Sequence, residues 1–554
     1  MVLRNAVHKD LYADSVALMR AAARLAEPPG VETISLVMGT PANRDVLARS
    51  GLLTTPGHDA GPNDLLVAVR GEPDAVDTAL ALVVDALSGP GEGPDAGPEA
   101  GADAGTPVRS LVGAPAGASL ALISTPGPYA ASEALKALRL GMHAFVFSDH
   151  VPIEQEVLLK REAARRGLLV MGPDCGTAVI GGIPLGFANE VRAGCVGLVG
   201  ASGTGLQQVS SLLHSMGSGV SHGIGTGSRD VSAEVGGPTM RAGLDALAAD
   251  PATEIIVLVS KPPAPHVAEQ LLRHAGASGK PVVACFLGMD GTVPAPAGVT
   301  LAPTLLEAAR AAASLAVGGA LPPDEVPKLP APAPPRRLLR ALYAGGTFAH
   351  EAALLLGPAL GDIARAAPPP VPGAAPRLPD RHLVLDLGDD EFTAGRPHPM
   401  IDPTVRTEYL RAALADRRSA AVVLDVVIGH GAAPDPAAAL AEALSEAPVD
   451  TPPVIAFVVG TDNDPQGLTA QQRILRDAGA YVVDSSTTAA RVCAELLRAD
   501  GDLMLAPAAP GSAATSTATS PSAAASPSAS ASGSASASAS ASASASASRI
   551  GETA

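Results

Sequence analysis

The chain has 554 residues, a length that suits about three or four domains with sizeable cores. Its 38 basic and 55 acidic side chains leave a formal charge of −17, which argues against nucleic acid and anionic membranes as partners, since both select clustered Lys and Arg. With no Trp and 2% aromatics, the composition predicts neither a stacking platform for bases nor an aromatic membrane belt.

Residues 1–88 alternate strand and helix. VLRNAVHK, VETISLVM and DLLVAVRG read as strands, and SVALMRAAARLA and DAVDTALALVVDAL as helices. That βαββα order predicts a small ferredoxin-like α+β domain. The start, MVLRNAVHKDLYADS, carries no signal-peptide apolar run. Residues 89–107, GPGEGPDAGPEAGADAGTP, hold Gly, Pro and acids with nothing to bury and read as a linker.

Residues 108–194 form the first α/β unit, with a βαβαβ rhythm from 119. Its strands are LALISTPG, HAFVFSD and LLVMGPD, and its helices ASEALKALRLG and IEQEVLLKREAARRG. Residues 195–320 repeat the rhythm with strands CVGLVG, GVSHGIG, EIIVLVS and PVVACFLG. Strands this apolar, separated by amphipathic helices, predict buried parallel sheets.

A Pro-rich spacer at 321–337 leads to a third α/β unit, 338–500. Its strands are LRALYAGG, HLVLDLG, AAVVLDVVIG, PVIAFVVG and AYVVDSS. Residues 501–554 are largely Ala and Ser, a composition that predicts disorder. Apolar runs such as EIIVLVS fall far short of the ~20 residues of a spanning helix, so the expectation is a cytoplasmic protein.

Two glycine-rich turns follow apolar strands directly: Gly200-Ala201-Ser202-Gly203-Thr204-Gly205 and Gly223-Ile224-Gly225-Thr226-Gly227. Bare N–H groups and a helix dipole at such a strand end suit a phosphate or carboxylate. Arg229 lies just past the second turn and is read either as a cation for that crevice or as a solvated surface charge. Of the four cysteines, Cys195 and Cys285 sit in strand-like runs and read as core.

STPGPYAASEAL, FSDHVP, MGPDCG, ASGTG and SHGIGTG recur in the order and spacing of turns in the α subunit of succinyl-CoA synthetase, which residues 119–290 resemble. Residues 338–495 resemble the carboxyl-terminal ligase domain of its β subunit through AGGTFAHEA, VVIGHGA and GTDNDPQG. An α-like part and a β-like tail behind a small amino-terminal domain resembles the FdrA arrangement. LDLGDDEFTAGRPHPMIDPTVR, 385–406, looks like an FdrA hallmark. The resemblance implies a succinyl-CoA synthetase-like α/β fold with parallel Rossmann- and flavodoxin-like units.

Three departures shape the expected chemistry. No counterpart of the β subunit's ATP-grasp domain is present. The loop that carries phosphohistidine in the synthetases reads GMDGTVPAPAGVTLAPT here, without histidine, and His274 lies earlier, inside a helix. The synthetases place glutamate where this chain has Lys261, read either as a cation for a bound anion or as a solvated surface charge. The family's first glycine turn is replaced by RSLVGAPAGAS, so coenzyme A stays an open cofactor.

What the resemblance retains is two phosphate cradles: Ser202-Gly203-Thr204, and Gly429-His430-Gly431-Ala432 before the helix DPAAALAEALS. The expectation is that both helix ends aim at one phosphoryl group. FdrA-type proteins are associated with oxamate carbamoyltransferase, which exchanges carbamoyl phosphate and oxamate for phosphate and oxalurate. The implied partners are those small anions or an acyl-CoA, with other subunits in an oligomer.

Candidate acid–base or donor residues are His222 (or a histidine merely packed at a strand end), His430 and Lys261, with His398 and Asp402 in a substrate loop or a structural turn. Asp389, Asp390 and Glu391 are read as a Mg²⁺ cluster or a solvated turn, and Cys175 as a turn residue or a nucleophile. The alternatives to carbamoyl transfer are an acyl-CoA synthetase that borrows its nucleotide site, and a non-catalytic scaffold.

Overall fold

The computed structural model describes residues 1–498 apart from 14, 27–28, 89–109, 290–292, 325, 369–374, 394–395 and 449. The expected linker at 89–107 and the Ala/Ser tail lie outside the described residues. No described helix is long and apolar enough to cross a membrane.

The amino-terminal unit comprises β1 (Val2–His8), α1 (Ser15–Ala26), β2 (Val31–Met38), α2 (Pro41–Arg49), α3 (Thr55–His58), β3 (Leu65–Gly71) and α4 (Pro73–Ser88). β3 pairs antiparallel with both neighbours, Ala68 opposite Asn5 and Ser35. Leu65, Val67 and Val69 face a core with Leu18 of α1 and Val76 and Val83 of α4. Helix α2 is absent from the pattern-based reading. Its signals are the Thr40 cap, whose side chain accepts from the Asn43 N–H, and Pro41 at the first turn.

The next unit is a parallel three-stranded sheet, β4 (Leu120–Ile123), β5 (His143–Val146) and β6 (Val170–Met171), with α5 (Gly127–Arg139) and α6 (Ile153–Arg166) between the strands. The chain then makes a hairpin, β7 (Thr177–Ile180) and β8 (Ile183–Gly186), that joins the following sheet instead. Gly181 and Gly182 turn it with φ of 59° and 82°, the paired positive φ that a tight hairpin requires.

That sheet has the order β13-β12-β11-β9-β10-β7-β8. Its further elements are β9 (Ala193–Gly200), α7 (Gly203–Ser215), β10 (Val220–Gly225), α8 (Pro238–Ala249), β11 (Ile255–Ser260), α9 (Pro265–Gly276), β12 (Val282–Phe286), β13 (Val299–Leu301) and α10 (Leu305–Val317). The last unit has β14 (Leu338–Tyr343), α11 (Gly346–Leu360), β15 (Ile363–Ala364), β16 (His382–Asp386), α12 (Asp390–Thr393), α13 (Thr404–Ala415), β17 (Ser419–Val427), α14 (Pro436–Ser445), β18 (Val454–Val459), α15 (Leu468–Asp477), β19 (Tyr481–Val483) and α16 (Ser486–Arg498). Its strands are all parallel, in the order β15-β16-β14-β17-β18-β19.

One core joins these two sheets through a shared layer of helices. It holds Leu198 of β9, Leu206 and Leu213 of α7, Leu305 of α10, Phe348 of α11, Cys493 of α16 and Leu339 of β14. Ala308, Ala309, Ala312 and Ala313 give α10 a flat buried face. Phe348 meets Phe457 of β18 edge-on at 5.2 Å. Each fully buried Leu or Phe here contributes about 1.5–3 kcal/mol. Helices α7 and α11 touch within this layer, and each begins just past the carboxyl end of a central strand.

Candidate functional site

The first tip is that of α7. Ser202, extended at φ −153°, caps the helix by accepting from the Gly205 N–H at 2.9 Å. The N–H groups of Gly203 and Thr204 lie in the first turn, where helix geometry leaves donors directed out of the amino end.

The second tip is that of α11. Asp425 of β17 accepts from the N–H groups of Ala344 and Gly345, both at 2.9 Å, and Arg406 of α13 pairs with its Oδ1 at 2.8 Å. This buried pair fixes the β14–α11 turn and leaves Gly346 and Thr347 at the start of the helix. Ser202 Oγ and Thr347 Oγ1 are 2.5 Å apart. A Cβ added to Gly345 would lie 3.1 Å from the Thr204 methyl. The two tips meet.

Lys261 follows β11 and Asp386 ends β16, so each comes from the carboxyl edge of a different sheet. Both reach α11: a Cβ built on Gly346 would lie 2.3 Å from Asp386 Oδ2 and 3.2 Å from Lys261 Nζ. Burial raises the Asp386 carboxyl to about 6, against the lowering pull of Lys261 and of the Gly388 N–H it accepts at 3.0 Å. The arrangement therefore combines two helix ends, an ammonium group and a carboxyl that titrates close to neutrality. Such a set is chemically suited to an anion with a proton handled beside it.

His398 packs beside Asp386's turn. Its Nε2 lies 2.5 Å from a Cβ built on Gly388, and its ring centroid is 6.3 Å from that of Phe187. Burial, aided by Arg406, lowers the imidazole to about 4, so it is neutral at physiological pH. Nδ1 accepts the Met400 N–H at 3.2 Å, which leaves the ring proton on Nε2.

Other expected site residues are placed differently. The turn Gly429-His430-Gly431-Ala432 is not the second tip. Its N–H groups are used internally, Gly429 donating to Gln466 Oε1 at 3.0 Å and His430 to Ala188 O at 2.9 Å, and α14 starts only at Pro436. His430 pairs with Glu190 at 2.6 Å, while Asp464 accepts from Asn189 Nδ2 and the Glu190 N–H. Gly429, His430 and Gly431 thus grip residues 186–190 and join the two sheets.

Nor is the Gly225-Thr226-Gly227 turn an open cradle. Thr226 is buried and donates its N–H to Gly200 O at 2.9 Å, and a Cβ on Gly227 would lie 2.2 Å from Pro173 O. Arg229 pairs with buried Glu156 at 2.9 Å and donates to Val151 O at 2.7 Å, so it braces α6 and is not a free cation. His222 points away from the crevice. Its Nδ1 accepts the Gly181 N–H, and its Nε2 is 3.6 Å from Asp250, which ends the helix leading into the amino edge of β11.

Burial raises Cys175 to about 12, which removes it as a nucleophile. Asp402 accepts from Thr404 and starts α13. Asp389 accepts the Glu391 N–H and Asp390 approaches His150. Among the described residues, no group of three or more His, Cys, Asp or Glu side chains is placed to hold a metal, so the Mg²⁺ reading of 389–391 gains no support. His274 pairs with Asp245 on the surface of α9.

Gly346 and Thr347 lie in AGGTFAHEA, Asp386 in the 385–406 segment and Asp425 in the strand AAVVLDVVIG, but none of the four is singled out as a site residue by the sequence. The available signal was positional, since both acids lie near the carboxyl ends of strands in a parallel sheet, where ligand sites collect.

Family models match three stretches: a CoA binding domain at 192–288, a CoA-ligase at 342–496, and an "AllF, heavy metal-associated domain" at 1–102. The succinate–CoA ligase (ADP-forming) α subunit of Aquifex aeolicus is 27% identical over 154 residues, covering 26% of this chain and 48% of that subunit. An apo dinucleotide-forming acetyl-coenzyme A synthetase 1 of Ca. Korarchaeum cryptofilum covers 70% of this chain and 84% of its own at 16% identity, with a TM-score of 0.30.

The fold and the domain matches are succinyl-CoA synthetase-like, with a CoA-binding and a CoA-ligase stretch in one chain. Protein YahF of Escherichia coli is 37% identical over 520 residues, 90% of this chain and 99% of YahF. The chain belongs to the YahF family. Its first cysteine is Cys175, so residues 1–102 hold no thiolate for a soft metal.

Proposed function

We propose that the crevice at the tips of α7 and α11 transfers a carbamoyl or related acyl group from a ready-made acyl phosphate, and that the chain is an FdrA-type subunit of an oxamate carbamoyltransferase. Carbamoyl phosphate and oxamate are the substrates, phosphate and oxalurate the products. The 2.5 Å Ser202–Thr347 contact carries the reading, because it sets two helix ends on one point beside Lys261.

Ser202, Gly203 and Thr204, with Gly346 and Thr347 opposite, hold the phosphoryl oxygens. Lys261 offsets the charge that grows as phosphate departs, and His398 Nε2–H donates to the acceptor. The loop after β12 has no histidine to take the phosphoryl group itself. The complete complex with its partner subunits is expected to release phosphate from carbamoyl phosphate only when oxamate is added. No release from a fully assembled complex disproves the assignment.

An acid–thiol ligase working with a separate nucleotide-binding subunit is the second reading. It is favoured by Thr125 Oγ1 and Gln155 Oε1, which are buried without a protein partner in the β4–α5 turn and first turn of α6, a region suited to coenzyme A as substrate. It predicts ADP formation that requires coenzyme A and an acid-labile phosphohistidine. A scaffold would tolerate loss of Lys261 and Ser202 without loss of turnover.

A further inference from the structure

The proposed transfer needs a group to take a proton. An amide nitrogen that attacks a carbonyl carbon must lose a hydrogen as its bond forms, and none of the histidines in the motif reading is placed for this. His222 and His430 are engaged elsewhere, and His398 is held neutral with its proton on Nε2.

Asp386 occupies the required place. Its Oδ1 is fixed by the Gly388 N–H at 3.0 Å, and its Oδ2 comes within 2.3 Å of a Cβ built on Gly346, the first residue of α11. Lys261 Nζ is 3.2 Å from the same point. A carboxylate and an ammonium group thus flank one helix tip, in space that only glycine leaves open. The charged groups acting on Asp386 are Lys261 from β11, Asp389 from its own turn, Asp425 from β17 and Arg365 beyond α11, while His398 packs on Gly388 and His350 lies near Lys261.

We infer that Asp386 is the proton acceptor of this site, taking the hydrogen from the attacking nitrogen while Lys261 and the helix tips hold the leaving phosphate. The inference rests on the group-transfer reading above. In the step, the oxamate amide nitrogen forms a bond to the carbonyl carbon of carbamoyl phosphate. The carbon–oxygen bond to phosphate breaks, its electron pair stays on the phosphate oxygen, and the amide proton passes to Asp386 Oδ2 and then to the departing phosphate. Atoms and charge balance without a further reactant. Because the acceptor must be ionised, kcat/KM rises with pH as the carboxyl, raised to about 6 by burial, loses its proton.

The test is the pH profile of the assembled complex carrying wild-type chain or Asp386→Asn. The wild type is expected to show a rising acid limb. In Asp386→Asn the rate should fall by about 10²–10⁴-fold, the range general-base removal produces, and the limb should vanish. Inorganic phosphate should bind the variant at least as tightly as wild type, because a negative charge beside the anion has been removed. A carboxyl infrared band lost in the variant reports the titration of Asp386 in the wild type without any turnover. Gly346→Ala, which intrudes on Asp386 Oδ2, should reproduce the rate loss if Asp386→Asn fails to fold.

An active wild type whose Asp386→Asn variant keeps both rate and acid limb overturns the proton-acceptor role alone. A complete wild-type complex inert towards carbamoyl phosphate and oxamate overturns the function reading. An infrared titration midpoint at an ordinary carboxylate value, below about 4.5, overturns the weakened acidity on which the pH dependence depends.

Discussion

Ser202 Oγ lies 2.5 Å from Thr347 Oγ1, and the two residues stand at the starts of helices that follow strands of different sheets. One of these hydroxyls donates to the other. Ser202 Oγ also accepts the Gly205 N–H, so one oxygen both caps α7 and sets its distance from α11. The contact therefore belongs to packing and to chemistry at once.

Replacing Ser202 with Ala is expected to lower stability by about 0.5–2 kcal/mol, the cost of a lost serine cap. It should also weaken phosphate binding and slow transfer by about 10²–10³-fold, if the tip stabilises departing phosphate as an oxyanion donor does. Calorimetric melting and a phosphate titration check both effects. An unchanged phosphate affinity would show that the tips do not hold the anion.

For Lys261, the replacement by Met keeps the stem and removes the charge. Lys261 is exposed in the protein, so the melting temperature should move little. A charge-assisted hydrogen bond contributes about 1.5–3 kcal/mol, so phosphate affinity should fall by roughly 10- to 150-fold. Lys261→Arg should recover only part of it, because the planar guanidinium presents its donors differently. Equal phosphate affinity in all three proteins would sink the anion-holding role of this lysine.

Much of the fold was legible because the parallel strands are short apolar runs between amphipathic helices. SVALMRAAARLA forms α1, residue for residue, and VVLDVV lies within β17, which is buried throughout. The hairpin β7–β8 was missed although Gly181-Gly182 marks it, since a turn signal does not say which sheet a hairpin will join. The site was half legible. Gly345-Gly346-Thr347 and Gly429-His430-Gly431 look alike in sequence, and they differ in where their N–H groups go. Asp425, distant in sequence, organises the first, while Gln466 and Ala188 take the N–H groups of Gly429 and His430. Asp386 lies inside the 385–406 segment but is not singled out there, because its environment is built by side chains from other strands and turns.

Stability depends on a buried charged group away from the tips. Lys160 Nζ donates to Asp230 at 2.8 Å and to Thr226 O at 2.9 Å, and it pairs with Glu156 at 2.9 Å. Lys160, Glu156 and Asp230 are each no more than 2% exposed. Lys160→Met leaves two carboxylates with one less cation in a dry setting. It should destabilise the protein by about 3–5 kcal/mol, as removal of one partner from a buried pair does. Denaturant unfolding followed by circular dichroism measures this, and a loss under about 1 kcal/mol would mean the network is effectively solvated.

The turn that carries Asp386 continues to Asp390, whose carboxylate lies 3.6 Å from His150 Nε2. His150 also pairs with Asp149 at 3.0 Å. That hydrogen bond, with attraction from Asp149, Asp390 and Asp174, raises the imidazole to about 9 against an opposing effect of burial. Its folded value lies above the unfolded value of about 6.5, so its stabilising contribution is complete below that pH and is lost as pH climbs through about 9. Both side chains are more than half exposed, so the effect is modest and screened by salt. The gap in melting temperature between wild type and His150→Gln should therefore be widest near pH 6, narrow on raising the pH to 10, and shrink in high salt. A gap that stays constant across this range would show that His150 carries no charge in the folded protein and does not tether the Asp386 turn.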